Sequence, residues 1–584
     1  MLEGLWWRIR AFARAEELSL SVFGVVIGVV AGVGVALAHN AVQWLHEVLF
    51  GLPKDAYLSA STVLDPLRVF AALIFGGLVV GLYTWGVRRW RKREVVDPIE
   101  ANALYGGRLS LTDSVLLTGG TVLSSGCGAA VGMEAGYTQL GAGIASWLGQ
   151  RFNLRRADLR TLVACGAAAG IAAAFDAPMA GAFYAFELVL GAYAVVTLAP
   201  VMLAALTAPA IANLITPHLS SPLLNIDLYF SPYDIGVFVG IGVVAGYVGI
   251  GMMKMATTGE AALRRTGLPD FLRPALGGFG VAVLALYSPA VLGAGHGAMQ
   301  YYLVHAHGFM VLLGLFAAKV LAASLSVAAG FRGGLFHTSL FVGILLGDLV
   351  GLGIMALFPQ LPVDRIVYAL VGMASVAAAV IGAPITMIFL VFEQTGNIAI
   401  ASGVMIGAVI ASLIVRRVFG YSFATWRFHV RGEAIRSAFD ISWVKDLTVV
   451  KLMRREARTA GEHMTVAAFR KRFPIGSTER VFLLDEEGGY VGFVIVAEVH
   501  SVGNDETAET SAVRELRHAP EVFLTPRQNI NQILEAFERA ETEALAVVDD
   551  PQCRAVLGYV TEAYALRRYA LELDKRRREL SGER

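Results

Sequence analysis

Charge is what this 584-residue chain has least of. Asp, Glu, Lys and Arg make up 16% of it, against roughly 25% in soluble domains. A soluble chain of this length would divide into three or four domains, each with a charged surface of its own. There is too little charge for that. Cysteine is scarce as well: Cys127, Cys165 and Cys553 lie far apart without a CxxC or CxxH, which excludes a disulfide scaffold and a zinc site. Neither sign of charge dominates, with 48 Lys+Arg against 47 Asp+Glu and a net charge of +1. No global field exists to attract nucleic acid. The N-terminal stretch Leu5-Trp-Trp-Arg-Ile-Arg-Ala-Phe-Ala-Arg14 lacks the apolar run and cleavage site of a secretory signal. Its aromatic and cationic residues at helical spacing read instead as an interfacial amphipathic helix over residues 1–20.

The scarcity of charge is regional. Between Thr161 and Ile226 only Asp176 and Glu187 are charged, and between Ile366 and Val415 only Glu393. A water-facing surface would return every helical turn. Hydrophobic residues reach 56% and glycine 63 residues, as expected where membrane helices pack on small residues. After about residue 440 the chain becomes charge-rich, as in Leu571-Glu-Leu-Asp-Lys-Arg-Arg-Arg578. The pattern is an integral membrane domain over 21–437 followed by a cytosolic domain over 440–584. First spans are expected near Leu18–His39 and Val69–Val87. The basic patch Arg88-Arg-Trp-Arg-Lys-Arg93 and Arg416-Arg417 place both termini in the cytoplasm by the positive-inside rule.

Between residues 100 and 435 the apolar runs are short and interrupted, at Gly119-Gly120, Gly126-Cys-Gly128, Ala177-Pro178 and Ala383-Pro384. Helices that stop inside the membrane are tolerated where their ends line a polar cavity; ordinary kinked helices are the alternative. An internal repeat favours the first reading. Ala177-Pro-Met-Ala-Gly-Ala-Phe-Tyr-Ala-Phe-Glu187 matches Ala383-Pro-Ile-Thr-Met-Ile-Phe-Leu-Val-Phe-Glu393, 206 residues later. Upstream, Gly132-Met-Glu-Ala-Gly136 corresponds to Gly334-Leu-Phe-His-Thr338, 202 residues later. Two halves, roughly 69–215 and 270–420, describe a duplicated all-α transporter-type fold, and such repeats are commonly inverted.

Where two half-helices begin at a cavity, unpaired N–H groups and positive dipole ends form an anion site without Arg or Lys. Gly132, Met133, Ala135, Gly334, Leu335 and Phe336 are the candidates to line it. A full positive charge would hold a small anion too tightly for rapid passage. Glu134 stands at such a helix start, where its carboxylate can compete with an anion and leave when protonated; its alternative role is to satisfy its own helix dipole. Glu187 and Glu393 end the repeated motif and read as buried structural carboxylates.

The order Gly-Met-Glu-Ala-Gly, Ala-Ala-Ala-Phe-Asp-Ala-Pro-Met-Ala-Gly, Gly-Gly-Leu-Phe and Gly-Ala-Pro-Ile-Thr resembles the CLC family of chloride channels and transporters, over roughly residues 20–435. The resemblance implies a homodimer with an anion pathway in each subunit. It makes Glu134 the gating glutamate and Phe336 an anion-contacting residue. Where the family's pattern has an anion-coordinating Ser, an inner Tyr and the transporters' inner proton glutamate, the matching residues here are Val95, Ala424 and Leu188. Asp97 and His337 remain as candidate proton acceptors.

Two matched segments in the tail, Val481-Phe-Leu-Leu-Asp485 with Tyr490–Ile495 and Leu545-Ala-Val-Val-Asp549 with Val556–Val560, read as β-hairpins. Amphipathic helices precede each and follow the second. This α+β pattern, about 446–500 and 520–573, is similar to a pair of CBS domains. Such pairs often bind adenine nucleotides through an Asp shortly after Gly-x-Val-Thr. Here that place holds Tyr564, which weakens the case for an adenine nucleotide without removing it; a purely structural dimerisation module is the alternative of equal weight. No cofactor or resident metal is expected.

The expected function is passage of chloride or a similar small anion across a prokaryotic plasma membrane, channel-like or weakly proton-coupled. Chloride/proton antiport is the alternative, and a sensor with a vestigial pore is an alternative of another class. A membrane-embedded enzyme is disfavoured, because the apolar segments hold no nucleophile–base pair and no HExxH.

Overall fold

The computed structural model describes residues 17–54, 56–91, 95–217, 230–361, 364–423, 425–426, 447–502, 509–540 and 542–581. Of the amphipathic helix expected over residues 1–20, residues 1–16 lie outside them, as does Ala424, while 17–20 belong to the first long helix. The chain divides after Asp440 into two units with separate apolar cores.

The described residues of the first unit form sixteen helices in two series of eight. The first series is α1 (Glu17–Phe50), α2 (Pro66–Trp90), α3 (Pro98–Leu104), α4 (Leu111–Gly126), α5 (Glu134–Arg151), α6 (Arg156–Phe175), α7 (Pro178–Tyr184, continued by the π turn Ala185–Leu190) and α8 (Val195–Ile215). The second repeats it: α9 (Asp234–Arg265), α10 (Arg273–Ala285), α11 (His296–Val304), α12 (Phe309–Ala329), α13 (Phe336–Leu357), α14 (Arg365–Ile381), α15 (Pro384–Thr395) and α16 (Ile398–Val418). Eight of these helices are long and apolar enough to cross a membrane; α7 with its π turn, α10, α14 and α15 are apolar but shorter. The helices are broken, as the interrupted runs require. One expected boundary moves: the first helix does not end near His39 but runs to Phe50. His39, Gln43 and His46 line a small, partly open cavity, and polar residues with such a surface to face need not end a helix.

The repeats are inverted. Glu187, just past α7, accepts hydrogen bonds from the Ile385 and Thr386 amides (3.0 and 2.8 Å) and the Thr386 hydroxyl (2.6 Å) at the start of α15. Glu393, near the end of α15, accepts from the Met179 and Ala180 amides (2.8 and 2.9 Å) at the start of α7. Each C-terminal carboxylate therefore caps the other helix's N-terminus, which antiparallel helices alone allow. Between them Phe183 and Phe389 stack at 4.3 Å. Glu187 and Glu393 are structural, as their sequence context indicates.

Glycine sets the helix spacing in both halves. A Cβ on Gly141 would lie 2.1 Å from the Gly166 carbonyl oxygen, and one on Gly343 would lie 2.3 Å from that of Gly372. Backbones this close leave no room for side chains, so α5–α6 and α13–α14 meet through equivalent glycines.

In the second unit β1 (Thr459–Gly461) pairs parallel to β2 (Arg480–Leu484), which pairs antiparallel to β3 (Tyr490–Ile495). A second hairpin joins β4 (Ala544–Val548) to β5 (Val556–Thr561). Both hairpins carry a register shift at the same place, Leu483/Leu484 and Val547/Val548. In both, the following aspartate turns the chain: Asp485 accepts from the Glu487 and Gly489 amides, and Asp549 from the Asp550 and Ala555 amides. The halves exchange flanking segments. Arg454 bridges to Tyr559 of the second hairpin, and His518 to Phe493 of the first.

Candidate anion pathway

The two conserved-order segments of the repeat meet in the middle of the first unit. The Gly132 amide donates to the Gly334 carbonyl (2.8 Å) and the Gly334 amide to the Gly132 carbonyl (3.1 Å). This two-bond staple sets the first turns of α5 and α13 side by side. Met133 and Leu335 occupy the two cap positions and supply no side-chain acceptor to the helix. Ala135 lies next to the staple, with its Cβ 3.6 Å from where a Cβ on Gly334 would stand. The result is two helix starts whose N–H groups and positive dipole ends share one interior region.

Glu134 is the first residue of α5 and is 3% exposed. Its side chain folds back over the loop: a Cβ on Gly132 would lie 2.0 Å from Glu134 Oε2, so only glycine leaves the space. Oε2 has no hydrogen-bond partner, the other oxygen lies 3.6 Å from Nδ1 of His337, and the carboxylate also meets the backbone amides of Glu134 and His337. The carboxylate is thus held beside two positive helix ends.

Phe336 opens α13, buried, with its ring 5.0 Å from Phe175 and 6.2 Å from Tyr184. Tyr184, which precedes the π turn, is a pathway neighbour that the motif match does not mark. Val95 lies half-buried in the loop before α3. Its segment is tied to α5 because the Gln139 side chain donates to the Val96 carbonyl (3.0 Å). Leu188 is buried within the π turn. Asp97 caps α3, accepting from the Ile99 and Glu100 amides (2.7 and 3.2 Å). His337 lies against Glu134 itself, on the same side of the site.

Around His337 the fold gathers residues that sequence reasoning missed. His337 is sandwiched between Phe175 (centroids 5.4 Å, 9°) and His296 (3.5 Å, 24°), and neither of its ring nitrogens has a hydrogen-bond partner. His296 also borders a cavity of about 40 Å³ lined by His39, His46, Tyr57, Met133 and Tyr137. Behind its wall, the fully buried Lys319 donates to the carbonyls of Ala290, Val291 and Gly293 (3.4, 2.9 and 2.8 Å). Ligand atoms of Glu134, His296 and His337 lie within 4.8 Å of one another, a spacing a metal ion can use. The stacked rings, however, present nearly parallel lone pairs that do not converge on one ion, and two positive helix ends oppose a cation there. The signal available in the sequence was the occurrence of histidines, His39, His46, His296 and His337 among them, in segments nearly free of charge.

Inverted series of broken helices, stapled at two helix starts around a buried glutamate, define a membrane anion-transport fold. The family model described as voltage gated chloride channel matches residues 76–416, and the chain belongs to that family, the CLC proteins. It is 31% identical over 395 residues to the voltage-gated ClC-type chloride channel ClcB of Escherichia coli (strain K12), covering 67% of this chain and 94% of that protein. ClcB of E. coli O9:H4 (strain HS) matches to the same extent. Among solved structures, a slow cyanobacterial Cl⁻/H⁺ antiporter superposes with a TM-score of 0.61 at 22% identity, covering 70% of this chain and 97% of that one. A CLC-type fluoride/proton antiporter gives 0.57 at 23% identity (68% and 96% covered). A eukaryotic CLC transporter gives 0.58 at 18% (95% and 98% covered). At these identities the structures bear on the fold alone.

Proposed function

We propose that this protein conducts chloride or a similar small anion through a pathway at the starts of α5 and α13, gated by Glu134, in a channel-like or weakly proton-coupled manner. The observation that carries this reading is the Gly132–Gly334 staple with the buried Glu134 carboxylate beside it. In its charged form Glu134 occupies the region of the positive helix ends. Protonated, it loses that attraction and yields to an anion. Burying a bare anion costs tens of kcal/mol by a Born estimate, and the amides and dipoles offset that cost without a bound cation or cofactor.

Strict proton exchange needs acceptors reachable from both sides, since a proton does not cross a dry apolar gap unaided. Leu188 is aliphatic and buried, Asp97 is engaged as a helix cap, and His337 belongs to the Glu134 side. These placements favour leak over obligatory alternation. Chloride/proton antiport is the second reading, favoured by the contact of Glu134 with a titratable ring. We further propose a homodimer in a prokaryotic plasma membrane. Arg88 and Arg89 end α2, Arg264 and Arg265 end α9, and Arg416 and Arg417 end α16, which supports cytoplasmic termini. The test is chloride flux from liposomes with simultaneous pH recording. The expected outcome is anion flux down a chloride gradient without stoichiometric uphill proton movement; robust chloride-driven proton pumping would replace this reading with antiport.

A further inference from the structure

We propose that the apolar cleft between α1, α2 and the end of α4 holds one acyl chain of an anionic phospholipid whose phosphate is met by Arg68. The site is separate from the Glu134 pathway and does not rest on the reading of Glu134 as the gate.

The cleft has a volume of about 380 Å³. Leu45 and Leu49 contribute to it from α1, and Ala71, Phe75 and Val79 from α2. Phe75 and Val79 are exposed, whereas Ala72 and Cys127 are buried at its base. There a Cβ on Gly76 would lie 2.3 Å from the Cβ of Cys127, so glycine lets α2 close on the end of α4. From Arg68 to Val79 the cleft follows α2 for eleven residues, about 16 Å of helix rise. That is about half of a hydrocarbon core of roughly 30 Å, the depth of one leaflet. α2 is long and apolar enough to cross a membrane and carries Arg88 and Arg89 at its other end. The cleft therefore belongs to the leaflet opposite that basic end, the outer one in the orientation proposed above.

Lipid tails are as apolar as the walls of the cleft, so exchanging one tail for another gains nothing. Selection falls to charge. Arg68 is the one charged residue of the lining and stands in the first turn of α2, at the end of the leaflet where headgroups lie. Its guanidinium is seated over Gly51, just past α1: a Cβ on Gly51 would lie 1.9 Å from Nη1. Among the described residues its ion-pair partner is Asp65, 4.0 Å from Nε, with both side chains about half exposed. Asp65 is committed to the Leu67 amide (3.0 Å) as the cap of α2. Nη1 and Nη2 remain for a second anion, and a planar guanidinium matches phosphate through two parallel hydrogen bonds. A zwitterionic headgroup brings its own ammonium, which competes for that phosphate. An anionic headgroup does not.

The full-length protein is reconstituted in phosphatidylethanolamine vesicles that carry a small fraction of photoreactive lipid. The probe is either phosphatidylglycerol or phosphatidylethanolamine, each with a diazirine on its acyl chain. After illumination the labelled peptides are mapped and quantified for wild type, R68Q and A71F, each shown to be monodisperse by gel filtration. The expected result is labelling within residues 45–49, 75–79 and 123–127 that favours phosphatidylglycerol about fivefold or more, the scale of one Arg facing an anionic lipid. R68Q should remove the preference, and A71F, which puts a ring into the cleft, should lower labelling by both lipids about tenfold. Equal labelling by the two lipids in wild type would overturn the anionic site and leave a cleft filled by whichever lipid is nearest. A preference that survives R68Q would overturn the role of Arg68, and labelling undiminished by A71F would place the lipid elsewhere. No labelling of these segments would also overturn the proposal and leave the cleft to a second copy of the chain. A71L gives a second filled cleft should A71F fail to insert.

Discussion

Glu134, Glu187 and Glu393 are three buried or half-buried carboxylates at helix ends with two different fates. Glu187 and Glu393 each accept two backbone amides across the repeat, so their charge is satisfied where it stands. Glu134 is held on one side only: its carboxylate meets the backbone amides of Glu134 and His337 and a histidine ring at 3.6 Å, while Oε2 has no partner. Glu134→Gln should remove most of the pH dependence of flux, read from chloride efflux across a pH series; superimposable profiles for variant and wild type would contradict the gate. Glu393→Ala should instead leave the flux pH profile unchanged and lower stability by about 1–2 kcal/mol, the scale of a lost helix cap. Thermal unfolding in detergent checks it, and a changed pH profile at unchanged stability would contradict the structural role. Glu134 and Phe336 were legible from motif order, since each begins a helix after a glycine. His296, His39 and His46 were not, because they come from helices far apart in sequence and no periodicity marks a residue that faces another element.

At the scale of elements, the molecule is built from close glycine contacts that recur in both halves. Gly141 and Gly166 approach so closely that a methyl group on either meets backbone at 2.1–2.2 Å. Overpacking of this kind costs about 1–3 kcal/mol or more. Gly141→Ala should therefore lower the yield of monodisperse protein and its unfolding temperature. Gly236→Ala, in α9 with nothing within 4 Å of the added Cβ, should do neither, and gel filtration after a heat step compares the two. Equal losses would mean that the close contact is not the cause, since Ala is the better helix former at both positions. The broken helices were legible from Ala177-Pro178 and Ala383-Pro384, because proline starts a helix and cannot sit well inside one. The inversion was not: identical motifs look the same whichever way their helices run, and only the crossed caps between α7 and α15 decide it.

For the whole molecule, each unit has a core of its own. Truncation after residue 440 should leave a folded membrane unit that remains dimeric, since the family places the main interface among membrane helices. Light scattering of the solubilised fragment tests this; a monomer at concentrations where the full chain is dimeric would assign the interface to the tail. Sequence by itself determined the division into a charge-poor membrane unit and a charge-rich tail, the duplication, a glutamate at a helix start and the paired hairpins. These follow from composition, repeat and local pattern, which are properties of neighbours along the chain. Tertiary structure decided what depends on contacts between distant residues: the reciprocal caps of Glu187 and Glu393, the Gly132–Gly334 staple, and the stack that sets His337 against Glu134. The physical reason is that a buried polar atom takes its partner from whatever element packing brings beside it, and in an inverted repeat that element lies about 200 residues away.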